Sequence, residues 1–182
     1  MAKRALIVVD LQNEYRIEGK LPLERLDEAV ANAGQLLAAA RNDEDLIVHI
    51  RHETPGADDA PFAAGSDGTG IIEAVAPEQG ETVLTKHFPN AFRETELKAV
   101  LDAANVQEVV IVGAMSHMCI DATARAAFDH GYGVTVVRDA CATRGLSIDG
   151  VEVPADQVHA AFMAALAFAY GKVVTTADLL TA

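Results

Sequence analysis

The chain has no tryptophan, little sulfur and few basic residues, and each shortage excludes something. Two cysteines in 182 residues, Cys119 and Cys141, are too few for a disulfide framework and fit a reducing compartment better. Lys and Arg number 14 against 27 Asp and Glu, a formal charge of −13. A surface of that sign repels phosphate backbones and anionic lipid, so neither a nucleic acid nor a membrane surface is expected as a partner. No apolar run is long enough to span a bilayer. No charged leader followed by an apolar stretch opens the sequence, which predicts a cytoplasmic location. No G-x-G-x-x-G follows the first apolar run, where "DLQNEY" stands instead, so a dinucleotide-binding oxidoreductase is disfavoured.

What the chain does have is alternation. Short β-branched runs occur at 4–9, 45–50, 81–85, 108–113, 133–138 and 172–176, each nearly continuous in apolarity. That is the pattern of parallel strands covered on both faces. Ala- and Leu-rich stretches at 23–41, 94–104, 117–130 and 155–170 separate them. In the first, Leu26, Val30, Ala33, Leu37 and Ala40 recur at helical steps and predict one buried stripe. Pro154 before one stretch, and Gly131 and Gly171 after two others, mark helix ends. Strand–helix alternation predicts one α/β domain over 1–182 built on an open sheet. Residues 51–80, with Pro55, Pro61, Pro77 and five glycines, break the pattern and predict a long functional loop.

In such a sheet, ligands bind beyond the carboxyl ends of the strands. Three residues placed there carry complementary chemistry: Asp10 after the first run, Lys86 after the third and Cys119 after the fourth. A free cysteine is mostly thiol at neutral pH and needs a base or a lowered pKa to attack a carbonyl. Ser116 has the chemistry of a helix N-cap, which would place Cys119 in a first helical turn where the dipole and free amides favour a thiolate. Asp10 would exchange the proton, and Lys86 would polarise the pair. Taken singly, Cys119 reads equally as a buried structural residue, Lys86 as a solvated one and Asp10 as a turn former. Their shared position is what favours a nucleophilic site.

These residues sit in motifs that resemble the isochorismatase-like cysteine hydrolases. The resemblance runs in order through "ALIVVDLQNEY", "RHE", "GS", "TKHFPNAF", "GAMSHMCIDATARAAFDHGYGVTVVRDACAT" and "VVTTADLL". It implies a three-layer α-β-α fold with a six-stranded parallel sheet in the order 3-2-1-4-5-6. It implies a triad of Asp10 as base and acid, Lys86 as electrostatic partner and Cys119 as nucleophile. It further implies a cis peptide at Ala114–Met115 that aims the Met115 amide, with that of Cys119, at an oxyanion. Dimers or tetramers are common in the family, so a homo-oligomer is implied.

The implied reaction is hydrolysis of a small amide, carbamoyl or ureido compound through a thioester, without a cofactor. The metal-binding branch of the family carries an Asp-x-His after strand two and further histidines beyond. Here "HIRHE" stands at that place, and residues 53–85 contain no histidine, so no metal is expected. His49 and His52, three apart on an extended segment, should point apart, with His49 packed in the strand. Gln12, His52, Phe62, Thr69, Asn90 and Phe92 are candidates for the substrate pocket. His117 reads either as a pocket residue or as a plain first-turn helix residue, and Cys141 as structural. Two alternatives remain: a vinyl-ether hydrolase of the isochorismatase type, which lacks the nucleophilic cysteine, and a non-catalytic binding or redox-sensing protein.

Overall fold

Strands that must bury both faces need apolar side chains at odd and even positions alike, and the six runs have them. The structure, a computed structural model, describes residues 3–56 and 59–181. In chain order its elements are β1 (Lys3–Val9), α1 (Leu26–Asn42), β2 (Leu46–His52), β3 (Thr82–Lys86), α2 (Leu97–Ala103), β4 (Val106–Ala114), α3 (Asp121–Asp129), β5 (Gly133–Ala142), β6 (Leu146–Ile148), β7 (Val151–Val153), α4 (Ala155–Ala169), β8 (Lys172–Val174) and α5 (Thr176–Leu180). The main sheet runs β3-β2-β1-β4-β5-β8 with every pairing parallel. This is the 3-2-1-4-5-6 order implied by the sequence motifs. Its sixth strand is β8 because an antiparallel β6–β7 hairpin precedes it.

The period-two alternation of β1 divides the core. Ala5, Ile7 and Val9 face α2, α3 and α4 through Leu97, Leu101, Ala124, Ala127, Met163 and Leu166. Leu6 and Val8 face the opposite way, onto Val30, Ala33 and Leu37 of α1, with Leu179 of α5 beside them. The stripe read from the sequence is the buried face of α1. Burying each Val, Leu or Ile contributes about 1.5–3 kcal/mol, so the sheet is stabilised from both sides.

Several boundaries differ from the sequence reading, each for a local reason. Helix α1 begins at Leu26 because Arg25 takes a left-handed φ of 57°. The preceding Leu23 and Glu24 amides donate to Tyr15 O and Thr143 O instead. Helix α2 begins at Leu97 rather than at 94, because Glu94 is also left-handed and Thr95 Oγ1 closes a turn on Ala91 O. The β6–β7 hairpin turns on Asp149 and Gly150, both with positive φ, the chemistry of a tight reverse turn. The last strand stops at Val174 since Thr175 and Asp178 form a capping box that starts α5. Toward its end the long loop is pinned: Ile72 and Val75 bury into the α1 side of the core.

One glycine is required by a close approach. Gly113 of β4 pairs with Val9 of β1 and has φ 127°, and a Cβ there would lie 1.9 Å from Val9 O. Val9 is the residue before Asp10, so the contact sets where β1 ends. Gly113→Ala is expected to lower stability by roughly 2–4 kcal/mol through strain plus overlap. Gly80 has φ 98° with open space around its Cβ position, so Gly80→Ala should cost only about 1 kcal/mol. Urea unfolding of both variants measures the difference, and equal losses would show that the Val9 contact is unimportant.

Candidate active site

Three strands deliver the candidate triad to one rim of the sheet. Asp10 follows β1 directly, with a left-handed φ of 52°, and its amide donates to Ile50 O at 2.9 Å. Lys86 is the last residue of β3, the edge strand, two strand positions away from β1. That separation is about 10 Å, which a lysine side chain can bridge and a shorter one cannot. Cys119 lies in a wide turn, Ser116–Ile120, between β4 and α3.

The three groups meet. Lys86 Nζ is 2.7 Å from Asp10 Oδ2 and donates to Cys119 Sγ at 3.2 Å. Its third neighbour is His52 Nδ1, also at 3.2 Å, so an oxygen, a sulfur and a ring nitrogen surround the ammonium. Asp10 and Lys86 are fully buried and Cys119 is 7% exposed. Asp10 Oδ2 stands in ion-pair contact with Lys86, and neither Asp10 oxygen has a hydrogen bond of good geometry among the described residues.

Burial governs the protonation states. It pushes Asp10 above the usual carboxylate value against the pull of Lys86. Burial also opposes the charge of Lys86, but Asp10 and Cys119 outweigh it and hold the ammonium above its ordinary value. The Cys119 thiol is pushed well up, by burial first and by the Asp10 carboxylate second. This corrects the sequence expectation of a thiolate favoured by a helix start. The turn is of the π type, α3 begins only at Asp121, and the thiol is desolvated. Ser116 is likewise not a cap: its hydroxyl lies against Ala142 O and His159. Burial thus favours the thiol form of Cys119 and makes the Asp10 carboxylate more basic than usual, while its neighbours favour the Lys86 ammonium.

The remaining candidates divide. His52 is beside the triad, half-buried, its pKa lowered to about 4 by burial and by the Lys86 charge, so it is neutral and accepts from Lys86. Phe62 backs it edge-on at 5.4 Å and also meets Tyr15 at 5.1 Å. His49 points elsewhere, to Glu81 at 2.9 Å, as the three-residue spacing predicts. The peptide between Ala114 and Met115 is cis, in the position implied by the motifs.

Gln12 is buried and braces the rim. Its amide is consumed in holding the rim, accepting from His52 N and donating to His52 O and Thr69 O. Thr69, buried, uses its hydroxyl on Ser66 O. Asn90 turns inward on its own loop and accepts from Phe92 N. Phe92 packs on His130 and Tyr132, past the far end of α3 from Cys119, because an aromatic ring there fills core space. His117 is held by Thr143 Oγ1 at 2.6 Å, and Cys141 is buried between the end of β5 and the core.

Sequence reasoning missed Tyr15. It is buried, its ring meets Phe62 beside His52, and burial with the Asp10 charge drives its hydroxyl pKa well up. Its signal was available, an aromatic five residues after Asp10 in "DLQNEY". His159, which meets Ser116 from α4, had no such signal, because nothing in the sequence pairs residues so far apart. Among the described residues no group of three or more His, Cys, Asp or Glu is arranged to hold a metal ion.

With this geometry in hand, comparisons with known proteins agree on one group. The isochorismatase domain family model matches residues 4–178. The isochorismatase family protein YddQ of Bacillus subtilis is 46% identical over 172 residues, covering 94% of this chain and 96% of that protein. Maleamate amidohydrolase of Pseudomonas putida is 34% identical, covering 97% and 84%. The crystal structure of an isochorismatase from Pseudomonas putida superposes with a TM-score of 0.91 at 38% identity, covering 97% of this chain and 91% of that one. A six-stranded sheet in this order, together with matches across nearly the whole sequence, makes the chain a member of the isochorismatase family of hydrolases.

Proposed function

We propose that the chain is a cysteine-dependent amidohydrolase acting on a small amide, carbamoyl or ureido compound. The observation that carries this reading is Lys86 Nζ, buried and in contact with both Asp10 and Cys119. Similarity to maleamate amidohydrolase supports an amide as the substrate class.

In the proposed reaction Asp10 takes the thiol proton as Cys119 Sγ attacks the carbonyl carbon. The Lys86 ammonium stabilises the sulfur while it carries charge, and the Met115 and Cys119 amides receive the oxyanion. The proton on Asp10 passes to the leaving nitrogen, the C–N bond breaks and ammonia or an amine departs. Water, deprotonated by Asp10, attacks the thioester, and Asp10 returns that proton to sulfur. One amide and one water give one acid and one amine. The sequence of steps calls for no cofactor. A thiol that stays protonated until substrate arrives suits this order, since burial that raises Cys119 also raises its base. The presence of Cys119 in the site favours amide over vinyl-ether hydrolysis.

We also propose that it works as a homo-oligomer. Between Val158 and Ala169, α4 has no charged residue, and it exposes Ala160, Ala161, Ala164, Ala165 and Phe168, the last at 92%. An apolar face on a chain of charge −13 is where two copies approach with least repulsion.

An ammonia-release screen over amides and ureides identifies substrates, and isochorismate in the same panel should release no ammonia. Cys119→Ala is expected to lower kcat by roughly 10³-fold or more with the fold intact. Unchanged turnover would remove the cysteine mechanism. The base form of Asp10 is lost as pH falls through its pKa, and that pKa is raised. The acid limb of kcat/KM should therefore lie at higher pH than an ordinary aspartate gives, and Asp10→Asn should abolish it together with activity. Light scattering should give a mass that is a multiple of 19.2 kDa, with Phe168→Asp shifting the population toward monomer.

A further inference from the structure

The turn that carries Cys119 is held from behind at its first two residues. Ser116 is fully buried, with its Oγ 2.8 Å from His159 Nδ1 on α4 and 3.3 Å from Ala142 O at the end of β5. Beside it, His117 Nδ1 meets Thr143 Oγ1 at 2.6 Å and its ring lies 6.0 Å from Phe162. One proton arrangement satisfies both Ser116 contacts at once: His159 Nδ1–H donates to Oγ, and the hydroxyl donates to Ala142 O. Burial and the nearby Arg25 and Arg138 charges keep His159 neutral, with one ring proton to place. His159 also lines a cavity of about 140 Å³.

We propose that Ser116 and His159 are positioning residues that hold Cys119 Sγ against Lys86 through this chain of donors. The inference rests on the reading of Cys119 as the nucleophile. The turn is a five-residue π segment rather than a continuous α-helical ladder, and its first residue, Ser116, is tied to α4 and β5. Ser116 stands three residues before Cys119, and its partners belong to α4 and β5 rather than to the triad. Their effect on the sulfur is therefore transmitted by the turn. Displacing a reacting atom by about 1 Å is enough to cost on the order of 10²-fold in rate.

Alkylation by iodoacetamide at neutral pH, resolved by peptide mass spectrometry on the whole protein, reads the sulfur without needing the substrate. Thiolate is the reacting form, and Lys86 stabilises it, so loss of that contact slows alkylation. Ser116→Ala and His159→Leu are expected to slow Cys119 about tenfold, the change that one pKa unit brings, with Cys141 unchanged. His159→Asn, whose amide N–H takes the place of Nδ1–H, should restore the rate. A wild-type or faster rate at Cys119 in Ser116→Ala and His159→Leu overturns the proposal, and so does absence of rescue by asparagine. A rise at both cysteines overturns it as well, because the contact would then hold the fold and not the sulfur. Lys86→Met separates this inference from the reading beneath it. A wild-type Cys119 rate in Lys86→Met contradicts the triad, whereas slow alkylation there with wild-type rates in the other variants overturns only the positioning role.

Discussion

An ammonium group sealed from water must find its solvation in the protein, and Lys86 finds it in an oxygen, a sulfur and a ring nitrogen. The desolvation of such a charge costs several kcal/mol, and it is offset only by opposite charge and acceptors held close by. That requirement fixes the rest of the rim. Asp10 must stand at the end of β1, His52 must present Nδ1 as an acceptor and therefore stay neutral, and Cys119 must reach in from the turn beyond β4. Removing one partner of such a pair typically costs about 3–5 kcal/mol, so the arrangement is also a constraint on stability.

Much of the supporting structure serves to hold those positions. Gly113 lets β4 approach Val9 at a distance that no side chain permits, which fixes the departure of Asp10. Gln12, two residues on, ties the backbone of His52 to the loop at Thr69 through three hydrogen bonds. Phe62 then closes the other side of the His52 ring. The site is thus built from backbone anchors around one buried charge, and few of its parts are on mobile side chains.

The sheet and the meeting of Asp10, Lys86 and Cys119 were legible in the sequence because both leave local traces. Continuous β-branched runs announce two-sided burial, and acid, amine and thiol each follow a run directly. The motifs that resemble the isochorismatase family supplied strand order and the Ala114–Met115 position, which periodicity alone does not contain. What was illegible depends on distance in the chain. Gln12 and Phe92 are polar and aromatic residues near strand ends, and only the folded contacts reveal that one braces backbone and the other fills core. The protonation of Cys119 was misread because burial, a property of the whole fold, outweighed the favourable start of a turn. The β6–β7 hairpin and α5 did leave signals, Asp149–Gly150 and Thr175 with Asp178, that run-by-run reading passes over.

Lys86 belongs to β3, and β3 has a single hydrogen-bonded neighbour, β2. Edge strands fray more readily than central ones. The structure therefore hangs the cation shared by Asp10 and Cys119 on an edge strand, while Asp10 itself follows the central strand β1. A brief detachment of that rim would carry Lys86 away from Asp10 and Cys119 while leaving every central strand in register, so loss of this contact is separable from unfolding.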